Sequence, residues 1–595
     1  MLFYLMIWPG LAISVMLLGL GILRISSFVR LNDPQNNGVI KTREIVLASM
    51  WMGCAGYGGL FPLLGLFMPV SLNAGLGLLI LPFLTILDRK IRIFVYRIFL
   101  DLFADRKKTF RTIFLYVSSV APVFYMGGNQ ITLFDTAYYH LPLARIMGEY
   151  GAVKGLVTLH QNYGQTSSWF VMAAPGTVGG EFSWGAATAN TFISGLAAIH
   201  AFISIRDLAL KKARIDVAIS AIGFSMVLVM AARWGMISSL SPDLPVMLLC
   251  VAASWAISLS GYSRSHTDLG VTASFFISAF AFSIKISALP LLVTSTFFGM
   301  IFFWESIYKL WEFVFWGSWL LIPTLILNLL ASGCVAYPVH LSCFELPWTP
   351  DPGSLNYYLN VIKDAARGGG RGLLETLPLI EKFLIWLSKD KSGAFLTIIM
   401  IIISLPLVLK LLLRQIYSKK FCRSQLLVLI LSLSGAIFVT LFAPTGRFIG
   451  GYTAVIVGLS FFAFQPLQRG VLLLAKTGLL SIGVILALML AYHSGSASTI
   501  RGLVFERMAL GIYPSSGDGW ILPRKLVPFD VTRPDLPRLS KWKSASPPFS
   551  DIQHTDGSGI CWAAPAPCIP NPSVLQKVRY QDLKRGVAAG FRFQN

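Results

Sequence analysis

Charge is scarce in this chain. Only 13% of its 595 residues are Asp, Glu, Lys or Arg, while 55% are hydrophobic, and the mean hydropathy is +0.68. A soluble protein of this length needs far more charge to cover its surface, so a water-soluble globular fold is excluded. Acidic residues are the scarcer sign, 27 against 49 basic ones. The resulting +22 does not indicate nucleic acid, because Lys and Arg occur as short clusters between apolar runs, a pattern that sets membrane topology. Seven cysteines are few. There is no CxxC, HExxH or GxSxG, so redox, zinc-protease and serine-hydrolase chemistry find no foothold. Arg367 to Gly372 is glycine-rich but lacks the Lys-Ser/Thr ending of a phosphate loop and reads as a flexible connection.

Apolar runs fill the space that charge leaves. Runs of ~20 apolar residues cross a bilayer. They predict an all-α polytopic membrane protein with about 14 spans (12 to 16): 3–23, 45–62, 66–87, 111–127, 184–205, 215–232, 244–260, 270–284, 287–304, 313–330, 393–412, 425–443, 448–466 and 476–492. The first run has no basic leader and no small-residue cleavage motif, so it reads as a retained span. Basic residues fall on one side: Arg24 to Arg43, Arg89 to Arg111, Arg206 to Arg214, Arg264, Lys410 to Arg423, and Arg469 with Lys476. The positive-inside rule makes that side cytoplasmic. The segment 89–111 alternates Ile, Phe and Leu with Arg and predicts a helix on the inner leaflet.

The chain then divides into N-terminal spans with a basic loop (1–127), a first outer loop (128–183), core spans (184–330), a second outer loop (331–392), C-terminal spans (393–492) and an outer tail (493–595). Leu143 to Tyr150 and Leu373 to Trp386 are amphipathic and predict interfacial helices on the outer surface. The tail is rich in Pro, Ser and Gly and reads as a small disulfide-stapled cap or a partly disordered segment. Cys334 with Cys343, and Cys561 with Cys568, are the pairs suited to bridging in an oxidising compartment.

Charges at the outer ends of apolar runs are the candidates for chemistry, since a carboxylate or ammonium beside hydrocarbon is costly. Asp135 stands before Tyr138, Tyr139 and His140, and reads either as a general base or metal ligand, or as the cap of a helix starting near Thr136. Asp243, in Ser241-Pro242-Asp243-Leu244-Pro245, carries the same two readings. Lys285 interrupts an apolar run and either snorkels to headgroups or is presented by a re-entrant turn to an anion. Arg447 and Arg233 sit at outer junctions, suited to phosphate or to interfacial anchoring. His140 reads as a residue that orients phosphate or ligates a divalent ion, or as a hydrogen-bonded structural histidine, which a lone His more often is, and Tyr138 and Tyr139 are candidates for positioning substrate. The two carboxylates also suit a divalent cation, Mg, Mn or Zn. Gly446 and Gly450 have the spacing for close helix packing.

ATP and nucleotide sugars are not available on an outer face, so an activated group must arrive there on a lipid carrier. Transfer from a lipid phosphate needs a carboxylate to take the acceptor's proton and cations to hold the leaving phosphate.

Three segments resemble the GT-C superfamily of polytopic glycosyltransferases, especially the branch with protein O-mannosyltransferases and lipid A aminoarabinose transferases: Phe134 to His140, Ser241 to Pro245, and Phe282 to Ser287. Where many of that group carry two adjacent acids, position 136 here is Thr, which leaves Asp243 as the second acid. The chain is more closely similar to a set of bacterial multi-pass membrane proteins grouped as a family of unknown function. That likeness lies in the Asp135 to Pro142 motif, Ser332 to Pro338 with Pro347-Trp348, Pro444 with Arg447-Phe448, and Cys561 to Cys568. The resemblance implies a bacterial inner-membrane enzyme whose partners are a lipid-linked sugar donor, membrane lipids and a glycan, lipid or protein acceptor. A transporter or flippase for a lipid-linked or anionic solute, and a non-catalytic envelope assembly subunit, are the competing expectations.

Overall fold

The computed structural model describes residues 2–26, 42–104, 106–128, 131, 133–177, 184–210, 214–262, 264–367, 378, 381, 384–386, 391–418, 423–463, 542–555, 566–569 and 572–594. The helices in chain order are α1 (Leu2–Ile25), α2 (Thr42–Phe67), α3 (Leu72–Ile80), α4 (Arg89–Phe103), α5 (Arg106–Gly127), α6 (Leu141–Glu149), α7 (Ser168–Ala173), α8 (Trp184–Ala209), α9 (Ile215–Arg233), α10 (Asp243–Leu259), α11 (Arg264–Ile284), α12 (Leu289–Phe303), α13 (Ile307–Ser332), α14 (Pro352–Ala366), α15 (Lys391–Ser418), α16 (Arg423–Phe442) and α17 (Gly446–Ala463). Eleven described helices are long and apolar enough to cross a membrane by length and composition, and Leu72–Leu87 and Asp243–Leu259 are shorter apolar helices. The chain is a helical, multi-pass membrane protein. The span expected at 476–492 lies outside the described residues.

Large apolar side chains stand outward on several of these helices, among them Phe297, Trp311, Phe315 and Leu405. Such surface is stable only where lipid covers it. α10 is the opposite case, buried along its whole length against α8, α9, α11, α16 and α17. Its serine hydroxyls are satisfied within the helix, Ser254 donating to the Cys250 carbonyl and Ser258 to that of Ser254, so the all-round burial leaves them bonded.

Two sequence expectations change. The run 66–87 is broken after Phe67, where Ser71 caps α3 by accepting from the Ala74 amide, and ends in a 3₁₀ turn, Leu81–Leu87. The amphipathic stretch 143–150 forms α6, but Leu141 to Gly148 are buried, so it lies inside the protein and not on its outer surface. Leu373 to Trp386 falls mostly outside the described residues. On the basic side, Asp88 caps α4 by accepting from the Lys90 and Ile91 amides. α4 exposes Tyr96, Phe99, Leu100 and Phe103, as an interfacial helix does.

Among the described residues the all-helical expectation gives way in the tail. There β1 (Trp542–Ser544), β2 (Gln553–Thr555) and β3 (Cys568–Ile569) form one small sheet, and β4 (Val578–Tyr580) pairs antiparallel with β5 (Phe591–Phe593). Main-chain bonds dock this module on the outer loops: the Phe591 amide donates to the Lys154 carbonyl at 2.8 Å and the Phe593 amide to that of Pro347 at 3.1 Å.

Candidate functional site

Asp135 does not cap a helix. Its backbone is already helical, it makes no capping bond, and it leads into a π-helical turn, Thr136–His140. Such turns carry one residue more than an α-turn and are frequent at functional sites. The freed carboxylate meets Arg447, whose Nη1 lies 3.1 Å from Asp135 Oδ2. Asp243, the first residue of α10, is not a cap either. It is buried and pairs with Lys285 Nζ, while its other oxygen lies 3.6 Å from the same Arg447 Nη1.

Lys285 stands in extended backbone between α11 and a short 3₁₀ turn, so the chain turns there, and Lys285 does not interrupt a straight helix. Its ammonium lies 3.4 Å from the centroid of the Phe448 ring, whose negative face favours a cation. Four charges from four separate segments therefore form one row, Asp135, Arg447, Asp243, Lys285, with alternating sign.

Neutral contacts hold the row in place. The Leu240 amide donates to Thr136 Oγ1 at 3.3 Å, tying the approach to α10 to the turn that follows Asp135. Ser167 donates to the Ile284 carbonyl at 2.9 Å, anchoring the first outer loop beside Lys285. The Tyr452 hydroxyl donates to the Ser287 carbonyl at 3.1 Å, fixing α17 to the same turn. Trp386 Nε1 donates to the Pro444 carbonyl, just ahead of Arg447.

Aromatic groups flank the row. The His140 ring packs 4.3 Å from Tyr139 and 5.0 Å from Phe170, and burial lowers its pKa to about 4, leaving it uncharged at neutral pH. Burial likewise raises the Tyr139 phenol well above its usual value, with Asp135 adding to the rise. The Tyr138 hydroxyl lies 3.0 Å from His160 Nε2. His160 is a residue the sequence analysis missed. Its only signal was being one of seven histidines, in a polar loop. Phe448 was also missed as a cation partner. Beyond His160, the Tyr358 hydroxyl of α14 donates to Asn162 Oδ1 and accepts from Gln165 Nε2.

Arg233 ends α9 with its side chain exposed. Cys334 and Cys343 are bridged at the foot of the second outer loop. Cys568 is disulfide-bonded, while Cys561 lies outside the described residues. Asp135 and Asp243 suit a metal poorly, because Arg447 Nη1 already stands between them. Among the described residues no group of three His, Cys, Asp or Glu is gathered as a ligand set.

At the other end of the bundle the helix termini hold a separate set of ion pairs: Arg43 with Asp207, and Arg214 with Glu44 and Asp216. The basic loops of the sequence join these ends, so the row of four charges occupies the end away from them. No curated protein and no solved structure matches the chain. The family model described as Domain of unknown function (DUF8201) matches residues 1–454, a stretch that includes Asp135, Asp243, Lys285 and Arg447, and the chain belongs to that family.

Proposed function

We propose that the protein is a membrane glycosyltransferase of the GT-C kind, moving a sugar from a polyprenyl-phosphate donor to a hydroxyl of a glycan, lipid or protein acceptor on the extracytoplasmic face. The observation that carries this reading is the convergence of two carboxylates and two cations at one end of a helical bundle. The roles divide by burial. Asp243, with 4% of its side chain exposed, orients Lys285 and Arg447. Asp135, with 34% exposed, is at the rim where an acceptor can reach it.

In the reaction the acceptor oxygen attacks the anomeric carbon, and the bond from that carbon to the phosphate oxygen breaks with its electron pair going to phosphate. Asp135 takes the acceptor's proton, while Lys285 and Arg447 stabilise the phosphate as its charge grows. Asp135 leaves Arg447 when the anion arrives, a small loss because this pair is about a third exposed and solvent-screened pairs contribute ~0–1 kcal/mol.

The test uses protein in proteoliposomes with radiolabelled polyprenyl-phosphate sugar and endogenous acceptor lipid extract. Asp135→Asn is expected to lower transfer by a factor of about a hundred or more while donor binding persists, the scale of a lost general base. Undiminished transfer by that variant sinks the reading.

A further inference from the structure

His140 presents an unsatisfied atom next to the charge row. The side chain is 2% exposed. Its Nδ1 lies 3.4 Å from Thr136 Oγ1, whereas its Nε2 is buried and makes no hydrogen bond among the described residues. Buried polar atoms are nearly always bonded, and one that is not marks strain, water or a ligand.

The contacts accommodate the tautomer protonated on Nε2. Thr136 Oγ1 accepts the Leu240 amide proton, so the hydroxyl's own proton is free to point at His140 Nδ1. An imidazole that accepts at Nδ1 and is uncharged carries its proton on Nε2. In that tautomer the unsatisfied atom is an N–H donor. Charged groups face this ring from each element around it: Asp135 on its own turn, Asp243 on α10, Lys285 beyond α11 and Arg447 on α17, with the Tyr139 phenol beside it. The acids favour a charged ring and the cations oppose it, and burial outweighs the acids. Just ahead of α17, which carries Arg447, Thr445 Oγ1 is a second buried side-chain polar atom without a hydrogen bond among the described residues.

We propose that His140 is a positioning residue for the phosphate of this site, donating its Nε2–H as a neutral hydrogen bond to a phosphate oxygen while Lys285 and Arg447 supply the charge. This rests on the phosphate-site reading above and adds which nitrogen acts and in which protonation state. A neutral donor fixes the orientation of the anion without adding a third positive charge that would hold the released polyprenyl phosphate too tightly.

Two measurements test it on the full-length protein in nanodiscs. Histidine-selective ¹⁵N NMR, with His140→Gln identifying the resonance, is expected to show a proton on Nε2 and no titration between pH 5 and 8. A proton on Nδ1, or a midpoint near 6.5, overturns the assignment. Binding is then measured with undecaprenyl phosphate and, separately, inorganic phosphate. His140→Ala is expected to weaken binding by about tenfold to a hundredfold, the range for a hydrogen bond to a charged group. His140→Gln, whose amide reaches the Nε2 position, is expected to restore most of it, and His140→Asn is not. Wild-type affinity in His140→Ala overturns the inference alone. If inorganic phosphate binds and the lipid does not, the histidine role stands and the lipid-donor reading falls. If neither binds, both fall.

Discussion

Asp135 and Asp243 share one guanidinium nitrogen yet have different physical roles, and burial separates them. Asp243 neutralises Lys285 and Arg447 where little water reaches it. Removing its charge leaves Lys285 without its carboxylate partner and Arg447 with Asp135 alone, a change that costs ~3–5 kcal/mol for a buried pair. Asp135 is a third exposed, and water compensates its loss. Thermal unfolding in detergent is therefore expected to show Asp243→Asn destabilised by about 3–5 kcal/mol, and Asp135→Asn by less than about 1 kcal/mol. Equal melting temperatures for the two would refute this division. All four charged residues were legible in the sequence, because a charge at the edge of an apolar run has few innocent explanations. Their pairing was not. Lys285 and Asp243 are 42 residues apart and Arg447 and Asp135 are 312 apart, and no local pattern encodes contacts at such separations. His160 and Thr136 were illegible for a different reason, since polar residues in polar or mixed segments carry no anomaly.

At the scale of elements, the site depends on how closely α17 approaches α10. A methyl group on Gly451 would lie 2.8 Å from Met247 Cα and 3.0 Å from its carbonyl oxygen, both backbone atoms that cannot yield. A methyl on Gly450 would meet Met247 Sδ at 3.0 Å and Met230 Cε at 3.1 Å, ends of flexible side chains that can. Gly450→Ala is accordingly expected to keep most activity and stability. Gly451→Val is expected to push α17 off α10, separate Arg447 from Asp243, and lower both the melting temperature and donor binding. A Gly451→Val variant with wild-type donor affinity would show that this helix contact does not set the site. The spacing of Gly446 and Gly450 had marked this face of the helix for close packing, and the structure moves the tightest point one residue further on. The π-helical turn after Asp135 was hidden, because the sequence of Thr136 to His140 reads equally well as an ordinary first helical turn, and only the backbone bond spanning five residues, from the Leu141 amide to the Thr136 carbonyl, distinguishes the two.

For the whole molecule, the membrane-spanning pattern was readable because hydropathy alone decides which segments can lie in lipid. The tail was not, since strands of two or three residues are too short to show a period. This module lies beyond the part of the chain that the family model matches, residues 1–454, yet it is joined to the first outer loop. The joint runs from β5 to Lys154, and from Cys568, whose carbonyl accepts from Tyr163 at 2.7 Å, through the His160 ring 5.2 Å from Tyr163, to Tyr138. Tyr138 is three residues from Asp135, whereas the two cations of the row come from α17 and the turn after α11. On the glycosyltransferase reading proposed above, the described part of the tail is joined to the segment that leads from Asp135. Gly590 is the point at which to test this, because its φ of +86° excludes other residues and its Cβ position is filled by Lys154 backbone. On the same reading, Gly590→Val is expected to loosen the tail, seen as faster limited proteolysis after His493, and to raise the acceptor KM several-fold while undecaprenyl phosphate affinity stays within about twofold, since the residue it displaces is Lys154, in the segment that follows Asp135, and not a member of the charge row. Loss of donor affinity in step with transfer would mean that the tail supports the entire charge row, and that the matched region alone does not make a working site.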